Sequence, residues 1–373
     1  MVTAGGTRRV PPPTRTSAAE CTPARHVAAR WPALSHPCLH ARARTHARGS
    51  LCVALSLCTV HTPACPPALV FAMAQPTLLT IEEARACTIV RTLTAFTHIP
   101  AWRAEPAAEF EELVAPALSQ SVRLLLDGAH RFTAAGYNVQ TLRLVTTPCE
   151  GYLALHDAAA AQAQLQRVVD CVARCCRAWK LPDSAGAGER PAGAGFVQPP
   201  LLLNIGRCSA RVDTDTLAAL LLAHSHVSAS MDLPLTDDGV VDDGACAAAA
   251  DMMSKLAQRS EGGLGNFQFC ASAAMPTRCP FFPAAHTTQD DTPAGALQFA
   301  LGLQHVDLCV TVAERCVATP TLAGSTHAAR VAAVRDGITE HLDRVLTDAA
   351  HVAAQLAAGH GATFVGVDTS VAP

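Results

Sequence analysis

The sharpest candidate for chemistry is Cys279, with Arg278 and His286 near it in sequence around the turn Cys-Pro-Phe-Phe-Pro at 279–283. A thiol on a loop leading from a strand becomes a nucleophile when a base or cation beside it stabilises the thiolate, and Arg278 and His286 are its neighbours in sequence. The plainer alternative is that Cys279 packs, because neighbours in sequence need not meet in space and a Cys/His pair without a third group is incomplete. Phe281 and Phe282 read as a pocket wall or core plug on a loop stiffened by Pro280 and Pro283. Asp368 and Ser370, close to the last residue, supply a carboxylate and a hydroxyl for proton transfer or substrate binding.

Other groups join these if the strands that carry them run parallel, since ligands in such sheets sit beyond the carboxyl ends of the strands. Glu150, Arg207, Asp232 and Arg278 each follow or end a strand-like run, so they are expected to share one rim with Cys279 and Asp368. Asn266 is a further expected substrate contact. The turn Gly-Gly-Leu-Gly-Asn at 262–266 offers backbone N–H groups to an anion through Gly263 and Gly265. It matches neither a Walker loop nor a dinucleotide fingerprint, because its glycines follow a helix and precede a strand, and helix termination is the better account of them.

Metal chemistry finds little support. Cys171 and Cys175 share a helix face, with Cys176 adjacent, but no second pair stands at zinc-ligand spacing. The acidic run 236–244 lacks the alternating ligands and closing glutamate of a calcium loop, and His224 and His226 read as polar surface residues flanking a turn. No metal site is expected, and no cofactor is indicated.

The elements that must hold these groups alternate. Short apolar runs at 87–96, 137–146, 200–206, 226–233, 266–275 and 362–370 read as strands. Helical periodicity fits 106–134, which Pro116 should divide, and also 157–180, 214–224, 243–260, 294–317 and 326–358, with Asp213, Asp243 and Ser325 as caps. Strand followed by helix, repeated, signals an α/β fold with a parallel sheet. A Gly/Ala/Pro-rich insertion occupies 183–198.

Composition bounds the remainder. Hydrophobic residues make up 50% and aromatics 4% of the 373 residues, so Ala, Leu and Val must fill the interior. Residues 1–72 carry eight arginines against one acid, Glu20, and no sustained periodicity. They read as a disordered leader outside the fold: a start codon placed too early, an organellar transit peptide or a secretory signal. The remaining 20 basic and 30 acidic residues make an acidic body that would repel phosphate backbones, which argues against nucleic acid as a partner. Prolines interrupt the uncharged run 49–81, so no membrane span is expected. Eleven cysteines scattered over residues 73–373 read as reduced thiols, in keeping with the cytoplasm, or with mitochondria if the leader is a transit peptide.

The block 262–286, with GYNVQTLRLVTTP at 136–148 and GVDTSVAP at 366–373, resembles the uncharacterised family known as domain of unknown function seven hundred and eleven. The likeness covers about residues 86–373. It implies a fold similar to the ten-stranded α/β barrel of pyruvate formate-lyase, and carries no established activity. The positions matching the family block are Gly263, Gly265, Asn266, Phe267, Cys279, Pro280, Phe281, Phe282 and Pro283, with Asp368, Ser370 and Pro373 at the end. Members of the family continue past this segment and about six of ten strands are legible, so the resemblance implies an incomplete barrel whose open strand edge aggregates or recruits a partner, a second copy of the chain included. The expected function is that of an enzyme of unassigned reaction on a small polar or anionic metabolite. The alternatives are a non-catalytic metabolite binder and an inactive fragment.

Overall fold

The computed structural model describes residues 79–370 apart from 104, 181–195 and 281–282. The leader at 1–72, most of the insertion at 183–198, Phe281, Phe282 and Pro373 lie outside the described residues. The elements run α1 (Ile81–Ala86), β1 (Ile89–Thr97), α2 (Ala107–Leu113), α3 (Ala115–Ala134), β2 (Asn138–Val139), β3 (Leu142–Thr146), α4 (Ala158–Ala178), β4 (Leu201–Cys208), α5 (Thr214–Ala223), β5 (Val227–Asp232), α6 (Asp243–Arg259), β6 (Phe269–Ser272), β7 (Gln298–Gln304), α7 (Val306–Ala318), α8 (His327–His360) and β8 (Thr363–Ser370).

One sheet holds all the strands among the described residues, in the order β6-β5-β4-β3-β1-β7-β8, with the short β2 beside β1. From β6 to β1 the neighbours are parallel; β7 and β8 are parallel to each other, and the two sets meet antiparallel at β1 and β7. The path is open, with β6 and β8 at its ends. Two expectations change here. The sheet holds eight strands rather than six, and the segment 294–317 is not one helix, because its first half is β7. Leu301 and Leu303 of β7 are buried among the helices while Ala300 and Gly302 face the other way. Nearly all seven residues are buried, so hydropathy alternates too weakly to separate this strand from the helix that follows.

Local chemistry sets the helix boundaries. Pro116 sits in the first turn of α3 and Val114 separates it from α2, as a proline that cannot donate an amide requires. The caps fall on Asp213 for α5, as expected, but on Asp242 and Thr326 rather than Asp243 and Ser325 for α6 and α8. α8 ends at Gly361 with φ 61°.

The helices cover one face of the sheet. Leu93 and Ala95 of β1, Leu142 and Leu144 of β3, and Leu203 and Ile205 of β4 form with them a continuous apolar core. α3 contributes Leu118, Val122, Leu125, Ala129 and Phe132 on one stripe. Gly128 lets it approach, since a Cβ there would stand 2.4 Å from Leu93 Cδ2 and 2.8 Å from Leu356 Cδ2 of α8.

α1 is tied to α8 by charge. Arg85 donates to both carboxylate oxygens of Asp348 at 2.9 and 2.6 Å, and the Tyr137 hydroxyl donates to Asp348 Oδ2 at 2.7 Å. The Arg85 hydrogen bonds hold the Asp348 carboxyl below its ordinary value. A depressed carboxylate stabilises the fold above the unfolded-state value near 3.9 and stops doing so as pH falls through its folded value. Asp348→Asn is therefore expected to cost about 2 kcal/mol at pH 7, read as a lower urea midpoint, with the difference from wild type shrinking as pH falls below the unfolded-state value near 3.9.

Candidate active site on the polar face of the sheet

The face turned away from the helices is polar. Alternation brings Thr92 and Thr94 of β1, Arg143 of β3, Asn204 of β4, and Ser228, Ser230 and Asp232 of β5 onto it. Strands buried on both faces normally read as unbroken apolar runs; here Thr92, Thr94, Arg143, Asn204, Ser228 and Ser230 are polar and buried. The connection from β6 to β7 crosses this face as a strap, pinned at successive strands. The Pro280 carbonyl accepts from Arg143 Nη1 and, at 3.4 Å, from Thr94 Oγ1; the Pro283 carbonyl accepts from Asn204 Nδ2 at 3.0 Å. Beneath it Phe96, Val145, Ala285 and Ala300 make a small apolar contact. Cys279 and His286 pair as an antiparallel bridge within the strap.

Arg207 reaches the same face because β4 bulges between Asn204 and Arg207, an extra residue that re-aims the side chain after it. Gly206 permits the bulge with φ +87°, and its N–H donates to Asn204 Oδ1 at 2.8 Å. Arg207 pairs with Asp232. Its Nη1 also lies 3.1 Å from His286 Nε2 and 3.4 Å from the Met275 carbonyl. His286 Nδ1 stands 3.0 Å from the Ala284 carbonyl. Because a guanidinium only donates, Nε2 must be the acceptor and Nδ1–H the donor, which makes this a neutral imidazole. Burial, with the charge of Arg207, holds His286 below its ordinary pKa. Both ring nitrogens are engaged, so the neighbour expected to activate Cys279 is committed to the strap instead.

Cys279, 4% exposed, interacts electrostatically with Arg143, which is itself 5% exposed. Burial brings the Arg143 guanidinium down to about 9, and a thiolate at Cys279 would raise it again, so each group favours the charged form of the other. A cavity of about 380 Å³ opens beside this pair, walled by Arg278 and Cys279 of the strap and by Gly366 and Asp368 of β8, with Ala300 of β7. Burial raises the Asp368 carboxyl above its ordinary value. Arg278 has φ +59° and a buried Nε without a hydrogen-bond partner among the described residues; Ser230 Oγ and Ser272 Oγ are likewise buried without one.

The structure thus brings Cys279, Arg278 and Asp368 to one cavity, with Arg207 and Asp232 on the same face. It does so on the face rather than at a common rim. β8 runs against β1, and Asp368, paired with Gly302 opposite Thr92, lies well below the end of β1 at Thr97. The strap carries Cys279 down to meet it. Ser370 pairs with Gln304 at the far end of β8. Glu150 stays apart on the rim, accepting from Ser209 N at 2.8 Å and Ser209 Oγ at 2.6 Å. Asn266, Gly263 and Gly265 precede β6 and so lie at the opposite end from its tip at Ser272. There Gly262 and Gly263 adopt φ 59° and 73°, and a Cβ on Gly265 would meet Leu222 Cδ2 at 2.8 Å. These glycines end α6 and seat the turn on α5 rather than facing the cavity. Phe281 and Phe282 fall outside the described residues. Arg143 and Asn204 were not anticipated; the signal for Arg143 was an arginine at an alternating position of the run LRLV.

Among the described residues no cluster of three or more His, Cys, Asp or Glu side chains is arranged to hold a metal ion, and no helix is long and apolar enough to cross a membrane. A family model described as Uncharacterised ACR (DUF711) matches residues 83–373. No curated protein matches the chain.

Proposed function

The chain belongs to the family Uncharacterised ACR (DUF711), and on that premise we propose that it is an enzyme acting on a small anionic metabolite held in the cavity between the strap and β8. The observation that carries this reading is one cavity walled by a thiol, a carboxyl and a guanidinium, Cys279, Asp368 and Arg278. Arg278 anchors an anionic group, and a charge-assisted hydrogen bond is the contact its unpartnered Nε lacks. Cys279, its thiolate favoured by Arg143, serves as base or nucleophile, and Asp368, protonated more readily than an ordinary carboxyl, returns the proton. The finer architectural reading, part of a pyruvate formate-lyase-like barrel, is supported by two parallel strand sets meeting antiparallel at β1 and β7 around a polar inner face. It does not import that enzyme's chemistry.

The test is a panel of small carboxylates and phosphorylated metabolites offered to the full-length chain, with melting temperature and substrate consumption followed together. At least one anionic compound should raise the melting temperature and be converted. Arg278→Gln should weaken its binding by about 10–30-fold, the loss of one charged hydrogen bond. A compound that stabilises the protein and survives intact would make it a binding protein instead. Stabilisation equal in Arg278→Gln would remove this cavity as the site.

A further inference from the structure

Away from the cavity, Cys149 and Cys208 hold their sulfurs 3.4 Å apart, and neither residue has any exposed surface. The register of the sheet places them together. Val145 of β3 pairs with Asn204 of β4, and each cysteine lies four residues beyond that pair. They therefore meet where the two parallel strands leave the sheet. Thr146 and Tyr152 close the pocket with a 2.8 Å hydrogen bond between their hydroxyls. Above the thiols the exposed Glu150 carboxylate binds Ser209 through two hydrogen bonds, a clasp joining the loops that follow the two strands.

The geometry points to a redox-modification site: Cys149 and Cys208 form a dithiol that a small peroxide converts reversibly into a disulfide joining β3 to β4. Three features support it. A disulfide bond is about 2.05 Å long, so the sulfurs need close by only about 1.4 Å, within reach of side-chain rotation. Each sulfur's nearest reactive neighbour is the other, so an oxidised sulfur is resolved before it is oxidised again. The Glu150–Ser209 clasp on the loops beside the pair is two hydrogen bonds at the exposed rim, a contact that opens more readily than the core.

The chemistry balances. One sulfur attacks a peroxide oxygen, the O–O bond breaks, and the first water leaves behind a sulfenic acid. The second sulfur attacks the first, the S–O bond breaks, and the second water leaves. Two thiols lose two electrons and two protons, and one hydrogen peroxide becomes two waters. Excess dithiol reductant reverses the change by thiol–disulfide exchange. Cys208 follows directly on Arg207, so the cross-link would also fix the strand end that carries the Arg207–Asp232 pair.

The experiment treats the folded full-length chain with hydrogen peroxide, quenches in acid, alkylates the remaining thiols and digests for mass spectrometry. The expected product is a peptide pair linking Cys149 to Cys208, two hydrogens lighter than its parts and lost on reduction. Closing a loop of about 60 residues should raise the melting temperature by about 5 °C. Cys149→Ser and Cys208→Ser should each lose the linked peptide, and Glu150→Ala should form it several-fold faster. Recovery of both cysteines as free thiols or as sulfinic acids, with no linked peptide in wild type or in Glu150→Ala, would overturn the assignment.

Discussion

Gly206→Ala is expected to destabilise the fold by about 3 kcal/mol and to detach the strap from β4. Two costs add. The backbone at Gly206 has φ +87°, a conformation that charges a side chain about 1–2 kcal/mol. The new methyl would also stand 2.8 Å from the Thr147 carbonyl oxygen and 2.9 Å from Pro148 N and Cα. Those are backbone atoms of the neighbouring strand's exit loop, which cannot rotate aside, so overpacking adds a comparable amount. The bulge must then relax, and Arg207 leaves His286 and Asp232. Gly239→Ala separates the two costs. Gly239 has φ +75° but nothing within 4 Å of its would-be Cβ, so it should lose only about 1 kcal/mol. Urea midpoints at constant slope measure both. Equal, small losses would mean that the bulge yields freely and does not fix Arg207.

What the sequence made legible divides along physical lines. Long periodic stripes, such as Leu118 to Phe132 of α3, and capped starts, such as Asp213, are local signals, and they fell where the local rules put them. β7 was hidden because a strand covered on both faces has no amphipathic alternation to distinguish it from the helix that follows. Its omission had a consequence: with β7 absent, β8 looks like a sixth parallel strand and Asp368 is placed on the common rim. Strand direction is set by pairing across the sheet, which no local pattern encodes. The convergence of Cys279, Arg278 and Asp368 survives the change because the strap, not the rim, brings them together.

A stronger signal was present in the alternating positions. The runs TLTAF, LRLV and SASMD place Thr92 and Thr94, Arg143, and Ser228, Ser230 and Asp232 at alternating positions, yet the strands are largely buried on both sides. A polar, enclosed face costs free energy unless its groups are satisfied. In this chain the strap's carbonyls accept from Arg143, Thr94 and Asn204, while Ser230, Ser272 and Arg278 keep atoms without a hydrogen-bond partner among the described residues. Of these atoms, Arg278 Nε belongs to a residue that walls the cavity.

Asp368→Asn should make the protein more stable at neutral pH and at the same time nearly inactive. Burial raises the folded-state pKa of Asp368, so the native chain holds this proton more tightly than the unfolded chain does. Stability then declines as pH rises from the unfolded value through the folded one, and the penalty is complete above it. Asparagine carries no charge to desolvate. The variant's melting temperature should exceed wild type at pH 7 and converge with it below about pH 4, where the wild-type carboxyl is protonated in both states. Turnover of whatever metabolite the screen identifies should fall by about 10²–10⁴-fold, the usual contribution of a positioned acid or base. Cys279→Ser should fall at least as far without the gain in stability, since the serine hydroxyl does not ionise beside Arg143. The double variant should be little slower than the worse single one, because two groups acting in one step do not contribute independently. Additive losses would mean that the thiol and the carboxyl serve separate steps. Unchanged turnover in both single variants would remove the cavity from the chemistry.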